Sequence, residues 1–430
     1  MTAATLHTGI LTGIAGQPVP QLAKQFGTPS YIYDAAQICQ RIADLAEFYV
    51  VRYAQKSCSN LAILDLVRRN GVLIDGVSAG EIHRAIAAGY KPGQKQHPPE
   101  IVYTADIFDR ETLEIIEKHD IHVNCGSPDM IDQYGERMPG RGITLRINPG
   151  FGHGHSQKTN TGGSHSKHGI WHEQIEDCIE RATKSRLTIR GLHVHIGSGT
   201  DMEHLSQVCG AMEQACLSVG ASIHAISAGG GIPTPYRTGE QRADLSGYFE
   251  LWNSARQRLA KAFGHHVSLE IEPGRYLVSE SGALIAEIRA VKQMGDNLFY
   301  LLDAGFNNLA RPILYGAYHP MAVCYVRGEG RGASSEKDAQ QVIVGGPLCE
   351  SGDIFTQEDG GYVRSRELPV ASVGDFLVIG VAGAYGAVMG SNYNTKPLAA
   401  EVLVEDGKAH LVRERQSFDD IVRGERIPKA

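Results

Sequence analysis

A lysine near the start of the chain stands where a parallel-stranded enzyme could place a reactive amine. Lys56 follows a short apolar run, 51–54, and precedes a segment with helical character, 60–70. If the run is a strand, Lys56 projects from its carboxyl end, which carries the active site in a β/α barrel. An amine there can condense with an aldehyde cofactor. Taken alone, this segment is more simply interpreted as carrying a surface lysine. The other motifs decide between a surface lysine and a reactive one.

An acidic motif follows a second apolar run. In the segment 270–275, strand alternation puts Glu270 and Glu272 on the same side, with Glu272 nearer the carboxyl end. A carboxylate there could pair with a ring nitrogen and keep it protonated. The adjacent Arg275 suits a phosphate or a carboxylate. Viewed alone, the motif also fits a structural ion pair.

Two further motifs could contact a planar, phosphorylated ligand. His195 ends another apolar run, where an imidazole can lie flat against a ring, and the Ser198 hydroxyl could donate to a phosphate. The glycines at 229–231 follow a strand-like run, and adjacent glycines let backbone N–H groups converge on an anion. The spacing is not that of a dinucleotide-binding fingerprint. A core histidine and a tight turn are the alternatives.

Late in the chain, a glycine-rich turn at 346–353 combines a thiol, Cys349, with the carboxylates of Glu350 and Asp353. A thiol can donate a proton near neutral pH, although a small cysteine beside a turn would look the same. The histidine-rich segment 153–168 lacks an organised set of cysteine or acidic ligands, so we expect a loop over a site and no metal.

The elements that must position these residues change character along the chain. From 35 to 275, short apolar runs alternate with helical patterns in about eight units, which predicts a parallel (β/α)8 barrel. An open doubly wound sheet is the alternative. From 276 to 430 the runs are strand-like with few helices between them, which predicts a mostly antiparallel β domain. We expect the N-terminal segment 1–34 to join that β domain.

Composition limits the classes of partner. The 430 residues are enough for two domains, and the formal net charge of −7 argues against binding to nucleic acid. No run approaches the roughly 18–20 apolar residues of a membrane span, and the start lacks a secretion signal. Eight cysteines with irregular spacing favour reduced thiols. We therefore expect a cytoplasmic enzyme that binds no nucleic acid or membrane.

Taken together, these residues resemble the fold-type III pyridoxal-phosphate decarboxylases, in particular the branch that acts on diaminopimelate. The resemblance runs from about residue 28 to 421. Gln55 and the loop after Phe151 are similar to those of the enterobacterial members. Val388 and Gly390 depart from that pattern, in which serine is common at both positions. The motifs that carry the resemblance are Tyr53-Ala-Gln-Lys56, His195-Ile-Gly-Ser198, Gly229-Gly-Gly231, Glu272-Pro-Gly-Arg275, Arg311-Pro-Ile-Leu-Tyr315, Cys349-Glu350-Ser-Gly-Asp353 and Gly383-Ala-Tyr385-Gly.

The resemblance implies an α/β fold, a TIM barrel of the alanine-racemase type with a C-terminal β-barrel or sandwich domain. It also implies decarboxylation of meso-2,6-diaminopimelate to L-lysine and CO2, the last step of bacterial lysine biosynthesis. Lys56 would bind pyridoxal 5'-phosphate covalently, His195 would stack on its ring, and Glu272 would face its ring nitrogen. The other implied cofactor-binding residues are Ser198, Gly229, Gly230, Gly231, Pro273, Gly274, Arg275 and Tyr385.

For the substrate, the resemblance implies a proton donor, Cys349, that acts after CO2 is lost. It also implies that Cys349 and Glu350 reach the active site from a second subunit, so the enzyme would be at least a homodimer. The implied substrate-binding residues are Arg275, Arg311, Tyr315, Glu350 and Tyr385.

Three other classes remain open. A sister decarboxylase could act on ornithine, arginine, a D-amino acid or a siderophore intermediate, but Arg311 with Glu350 suits a distal amino acid group better than a simple diamine. Racemases of this fold type usually place arginine at the ring nitrogen, which Glu272 argues against. A cofactor-carrier barrel would lack both the β domain and the Cys349 motif.

Overall fold

A computed structural model describes the chain in four stretches, residues 9–151, 162–195, 201–326 and 339–428. The chain forms two compact units. The first, called the barrel unit, comprises Cys39–Thr234 and Arg242–Leu277. The second, called the sheet unit, comprises Met1–Ile38, Pro235–Gln241 and Val278–Ala430.

Eight parallel strands close into a barrel in the first unit. Each strand pairs with the next along the chain, and the eighth pairs with the first. This closing pair excludes the open doubly wound sheet and confirms the predicted barrel. A short additional strand, Ile170–Trp171, pairs with the fifth. In chain order the barrel strands are Val50–Ala54, Leu73–Gly76, Ile101–Ala105, His122–Cys125, Gly142–Asn148, Thr188–Val194, Ala225–Ser227 and Ser268–Ile271.

Helices alternate with the barrel strands, as the sequence pattern predicts. Several begin at a side chain that accepts a hydrogen bond from a first-turn N–H, which satisfies a donor that has no partner within the helix; these caps are Asn60, Ser78, Asp109, Asp201 and Asp244. The helices are Ala35–Ala43, Leu61–Arg69, Ala79–Ala87, Arg110–His119, Pro128–Arg137, Ile175–Lys184, Met202–Val219, Leu245–Phe263 and Arg275–Val278.

Two helices, Val19–Phe26 and Pro128–Arg137, carry a proline in the first turn. Proline is tolerated there because the first N–H groups of a helix lack intrahelical partners. The residue that reads as a helix breaker therefore marks a helix start in both segments.

The sheet unit is built on one mostly antiparallel sheet, as predicted. The N-terminal strand Ser30–Asp34 lies between Gly282–Met294, with which it is antiparallel, and Ala400–Glu405, with which it is parallel. In the described part of the chain this sheet has ten strands, which are Gly9–Ile10, Ser30–Asp34, Gly282–Met294, Asn297–Leu302, Met321–Cys324, Ala339–Gly345, Arg366–Pro369, Phe376–Ile379, Ala400–Glu405 and Lys408–Arg413.

Apolar side chains from one face of this sheet form its core. Ile32, Ile285, Val378 and Val402 are almost fully buried there and pack with the helix Val19–Phe26. Alternate residues of each strand point to this face, which is why the strands show apolar periodicity. A strand pair, Gly13–Ile14 with Gln17–Pro18, and two short helices, Arg311–Tyr315 and Phe418–Ile421, complete the unit.

Across the four described stretches, none of the helices has the length and apolar character needed to cross a membrane.

Candidate active site

The predicted cofactor residues of the barrel unit gather at one end of the barrel. Lys56 follows the first strand, His195 the sixth, the glycines 229–231 the seventh, and Glu272 the eighth. Because all eight strands are parallel, their carboxyl ends meet at the same edge. Ser198 lies outside the described residues.

Lys56 sits in a single turn of 3-10 helix, Gln55–Ser57, and its side chain is exposed. Two bonds hold this turn. The Tyr53 hydroxyl donates to the Cys58 carbonyl oxygen at 2.9 Å, and the Gln55 amide donates to the Glu81 carbonyl oxygen at 3.1 Å. The backbone beneath Lys56 is therefore rigid while its amine is accessible.

The positive charge of Lys56 affects the pKa values of nearby carboxyl groups at the barrel mouth. Burial raises the pKa of Asp75 well above its ordinary range and the charge of Glu272 raises it further, while the Lys56 ammonium opposes both. Burial likewise raises the pKa of Glu81 against the same opposing charge. The positive charge of the Lys56 amine thus lowers the pKa of two carboxyl groups at the barrel mouth, and burial of those groups raises it.

Glu272 is held by a histidine inside the barrel. Its carboxylate Oε2 lies 2.6 Å from His193 Nε2, and the two side chains are 6% and 1% exposed. Burial by itself would raise the pKa of Glu272, but the charge and hydrogen bond of His193, with smaller contributions from Arg52 and Arg146, lower it. Glu272 is therefore an ionised, nearly water-free carboxylate.

His195 is tied to the glycine loop. The Gly230 N–H donates to His195 Nδ1 at 3.0 Å, so that nitrogen carries no proton. Burial, together with the positive charge of Lys56, lowers the pKa of His195 well below its ordinary value. The result is a neutral imidazole of one defined tautomer, which suits stacking on a ring better than ionic pairing.

The glycine loop leaves no room for side chains. Gly229 has a φ of +68°, and a Cβ there would lie 2.1 Å from the Val194 carbonyl oxygen. A Cβ on Gly230 would lie 2.4 Å from the carbonyl oxygen of Glu272. Bare backbone therefore runs against the strand ends at this point, as in loops that cradle phosphate.

The residues after Glu272 pack equally closely on the first strand. The Pro273 carbonyl oxygen accepts from the Ala54 N–H at 3.4 Å. A Cβ on Gly274 would lie 3.0 Å from the Ala54 carbonyl oxygen. Arg275, half-buried, begins the short helix that follows. The backbone next to Glu272 therefore contacts the end of the strand that precedes Lys56.

These features fit pyridoxal phosphate. The site offers an accessible amine, an ionised buried carboxylate, a neutral imidazole and a loop without side chains. Buried polar side-chain atoms without a hydrogen-bond partner occur at several places in the described residues, and Gln55 Oε1, Asp75 Oδ1 and His193 Nδ1 are those beside the site. Such an atom can mark a place where a ligand or an ion binds.

The predicted substrate residues other than Arg275, which belongs to the barrel unit, lie in the sheet unit. Arg311 is buried and Tyr315 exposed, at the two ends of the helix Arg311–Tyr315. Tyr385 lies in a loop after the strand Phe376–Ile379 with a φ of +56°. A non-glycine residue in this region is strained, and such strain concentrates at functional positions.

Cys349 and Glu350 lie on an exposed turn. Its scaffold is Asp353, whose carboxylate accepts from the backbone N–H groups of Phe306 at 2.7 Å and Leu348 at 2.8 Å. Asn394 fixes the turn from the other side, since its Oδ1 accepts from the Cys349 N–H at 2.8 Å. The eight cysteines are all free, and Cys349 is the exposed one.

Part of the histidine-rich segment, residues 152–161, lies outside the described residues. His168 is described, and its Nδ1 lies 2.6 Å from Asp106 Oδ2. Burial opposes this ion pair, but the hydrogen bond from His168 and the N–H of Gly169 lower the pKa of Asp106. The end of the segment is thus anchored to the third barrel strand.

Several residues that the sequence motifs did not single out interact with the predicted ones. Among them are Asp75 and His193 in the barrel unit and Tyr236 and His319 in the sheet unit. His193 lies two residues before His195, and this i, i+2 spacing of histidines on one strand was the available signal. No motif marks the other three: Tyr236 lies 75 residues from its partner Arg311, and His319, eight residues after Arg311, is not part of a recognised pattern.

Comparison with known proteins agrees with this geometry. The family described as "Pyridoxal-dependent decarboxylase, pyridoxal binding domain" matches residues 35–279. The fold and this match define a pyridoxal-dependent decarboxylase, which confirms the predicted class of enzyme.

Similar proteins narrow the class of decarboxylase to one family. The diaminopimelate decarboxylase of Escherichia coli K12 is 50% identical over 411 residues, covering 96% of this chain and 97% of its own. That of Streptomyces coelicolor is 50% identical over 413 residues, covering 96% and 92%. A crystal structure of a diaminopimelate decarboxylase has 50% identity and a TM-score of 0.90, covering 94% and 95%. The Helicobacter pylori enzyme complexed with L-lysine has 29% identity and a TM-score of 0.81, covering 94% and 98%.

The chain belongs to the diaminopimelate decarboxylase family. This confirms the family that the motifs resemble.

Proposed function

We propose that this protein removes the carboxylate at one end of meso-2,6-diaminopimelate and releases L-lysine and CO2. The observation that carries the proposal is the buried Glu272 carboxylate, kept ionised by His193 at the barrel end that also holds Lys56 and the glycine loop. Half of the residues are identical to those of enzymes named for this substrate, over nearly the full length.

Pyridoxal phosphate, when bound, supplies a conjugated ring that delocalises the electron pair left behind by CO2. Lys56 would hold it through its amine, and the backbone of Gly229, Gly230 and Gly231, with Ser198, would hold its phosphate. His195 would pack against the ring face as a neutral imidazole. These are the roles that the motifs imply, and the geometry of the described barrel residues supports those of Lys56, His195 and the glycine loop.

Glu272 would hold a proton on the ring nitrogen. An ionised carboxylate stabilises a neighbouring cation, and burial strengthens that attraction because water does not screen it. The lowered pKa of Glu272 means that it has no proton of its own near neutral pH. It can therefore accept a hydrogen bond from the ring nitrogen and keep the ring electron-poor.

Both ends of the substrate need fixed positions, because the bond that breaks must stand perpendicular to the ring. We assign the distal carboxylate to Arg311 with Arg275 and Tyr315, and the distal ammonium to Glu350. Tyr385 would contact both cofactor and substrate. A substrate without the distal carboxylate would leave these groups unpaired, which costs roughly 10²–10⁴ in selectivity.

Cys349 would return a proton to the carbon that has lost CO2. Its thiol is exposed and lies on a turn fixed by Asp353 and Asn394, so the proton is presented from a defined position. We propose that Cys349 and Glu350 complete the active site of a second subunit, which makes the enzyme a cytoplasmic homodimer at least.

The substrate assignment is tested with purified protein saturated with pyridoxal phosphate. meso-Diaminopimelate, L-lysine, L-ornithine and their D-forms are compared by CO2 release and by chromatography of the amino acid product. We expect CO2 and lysine in equal amounts from meso-diaminopimelate, and turnover of the others lower by roughly 10²–10⁴. Comparable kcat/KM for ornithine would contradict the assignment.

The shared site is tested by mixing subunits. Lys56→Ala and Cys349→Ala proteins are co-expressed with different affinity tags, and the mixed dimers are isolated. If the two residues come from different subunits, each mixed dimer has one intact site, so about half of wild-type activity returns. If both residues come from one subunit, the mixed dimer keeps only the slow turnover of the Cys349→Ala sites and no fully active site.

A further inference from the structure

Two neutral side chains contact the guanidinium of Arg311 in the sheet unit. The residue is buried, with 7% of its surface exposed. Its Nη1 donates to the Tyr236 hydroxyl oxygen at 3.0 Å and to His319 Nε2 at 3.0 Å. The Tyr236 ring also faces the cation, with its centroid 4.9 Å from Cζ. These contacts fix the direction of the guanidinium and leave its positive charge intact.

The tautomer of His319 follows from its two contacts. Its Nδ1 lies 3.0 Å from the carbonyl oxygen of Gly380, which can only accept, so Nδ1 carries the proton. Its Nε2 meets an N–H of Arg311, so Nε2 accepts. His319 is therefore a neutral imidazole that connects Arg311 to the end of the strand Phe376–Ile379.

The segment that carries His319 is itself held firmly. The Gly380 N–H donates to the Pro320 carbonyl oxygen at 2.8 Å. The Tyr318 ring lies between two guanidiniums, with Arg237 Cζ 3.9 Å and Arg366 Cζ 4.0 Å from its centroid. Arg366 also donates to the His319 carbonyl oxygen at 2.5 Å. The imidazole cannot shift without disturbing all of these contacts.

Tyr236 belongs to the same support. It lies in Pro235–Gln241, the short segment that joins the sheet unit although it interrupts the barrel sequence. Its ring stands edge-on to His319, with centroids 5.5 Å apart and an interplanar angle of 89°. Tyr236 and His319 thus contact Arg311 and each other.

We propose that Tyr236 and His319 are positioning residues that aim Arg311 at the distal carboxylate of the substrate. The inference rests on the proposed function, which assigns that carboxylate to Arg311. It adds that selectivity for a substrate with a distal carboxylate depends on two neutral side chains that do not contact the substrate. An arginine held this way loses little freedom on binding, which favours affinity.

Two substitutions separate the two contacts of His319. In His319→Gln the side-chain oxygen takes the place of Nε2, so the acceptor for Arg311 is kept. In His319→Asn the side-chain nitrogen takes the place of Nδ1, so the bond to Gly380 is kept and the acceptor for Arg311 is lost. Tyr236→Phe removes the other acceptor and keeps the ring.

We expect His319→Asn and Tyr236→Phe to raise KM for meso-diaminopimelate and the inhibition constant of L-lysine, which retains the distal carboxylate, roughly tenfold each. His319→Gln should stay within about threefold of wild type, and kcat should change less than KM in all three. The melting temperature and the visible absorption of the bound cofactor monitor folding and cofactor loading, since a purely structural defect would move those as well.

The decisive comparison uses Arg311→Gln as a background. If His319 acts through Arg311, adding His319→Asn to Arg311→Gln should cause no further rise in KM. A further tenfold rise, or an equal effect of His319→Asn and His319→Gln, would overturn the positioning role alone. Failure of the wild-type protein to form lysine from meso-diaminopimelate would overturn the proposed function together with this inference.

Discussion

The pair formed by His193 and Glu272 makes a quantitative prediction about the barrel. Replacing His193 with leucine removes the hydrogen-bond donor at 2.6 Å and leaves the buried carboxylate with only the Ser227 hydroxyl, at 3.4 Å, and the smaller effects of Arg52 and Arg146. His193→Gln is the matched control, because its amide nitrogen can occupy the place of Nε2 and still donate. We expect the leucine variant to be much less stable than the glutamine variant at pH 7.

The magnitude follows from burial. Breaking a buried pair by removing one partner costs about 3–5 kcal/mol, since a charge is left without compensation. Exchanging one donor for another should cost only about 1 kcal/mol. In a Glu272→Gln background no buried charge is left behind, so His193→Leu should cost less than about 2 kcal/mol. The coupling energy between the two sites is then roughly 1–3 kcal/mol.

The pH dependence has a defined sign. In the wild-type barrel the pKa of Glu272 is lowered, so its contribution to stability is present at neutral pH and is lost as pH falls through that pKa. Without His193, burial dominates and should raise the pKa of Glu272 above its unfolded value. The penalty of His193→Leu should therefore shrink between pH 7 and pH 5, as the folded variant takes up a proton.

Tryptophan fluorescence during urea unfolding measures the stability of the barrel unit. Both tryptophans of the chain, Trp171 and Trp252, belong to the barrel unit, and Trp252 is fully buried. The four proteins of the cycle are compared at pH 7 and pH 5. Penalties for His193→Leu that agree within about 0.5 kcal/mol in the two backgrounds would refute the coupling. A penalty that grows toward pH 5 would refute the assigned charge.

Three further variants address catalysis. Lys56→Ala should abolish activity and the absorption near about 420 nm that a lysine-bound cofactor gives; an unchanged spectrum would refute the role of Lys56. Glu272→Gln should lower kcat far more than it weakens cofactor binding, measured by activity and equilibrium dialysis, because the amide cannot hold the ring proton by charge; wild-type turnover would tell against this. Cys349→Ala should turn over slowly and convert more of the cofactor to its amine form, because the proton arrives late. Mass spectrometry measures that amine form, and clean product at a normal rate would count against the role of the thiol.

The barrel was predictable because its signals are local. Each strand is a short apolar run and each helix has its own periodicity, so the alternation is visible without knowing which elements touch. Lys56, His195 and Glu272 could be placed at the barrel mouth for the same reason, since each ends a run. Element boundaries are harder to predict than the elements themselves: the first-turn prolines of Val19–Phe26 and Pro128–Arg137 mark helix starts, although proline breaks a helix at interior positions.

What the sequence does not reveal is the choice of partner. Glu272 could equally have paired with Arg275 as a structural ion pair, and only the packed barrel shows that His193 is its partner. Tyr236 and Arg311 are separated by 75 residues along the chain, yet they share a hydrogen bond. Contacts of this kind depend on the register of distant strands, which no local periodicity encodes. The predicted roles of the site residues, among them Lys56, Tyr385 and Cys349, stay predictions.

The pKa values of two buried carboxyl groups at the barrel mouth are shifted in opposite directions, and their partners explain why. Both Asp75 and Glu272 are almost fully removed from water, and burial raises the pKa of each. For Glu272 the charge and hydrogen bond of His193 reverse that effect, whereas for Asp75 the charge of Glu272 adds to burial and only the Lys56 ammonium and the Thr104 side chain oppose it. The contrast between the two groups thus depends largely on one histidine. If His193 is removed, the pKa of Glu272 should rise, which would weaken this carboxylate as the partner of a protonated ring nitrogen.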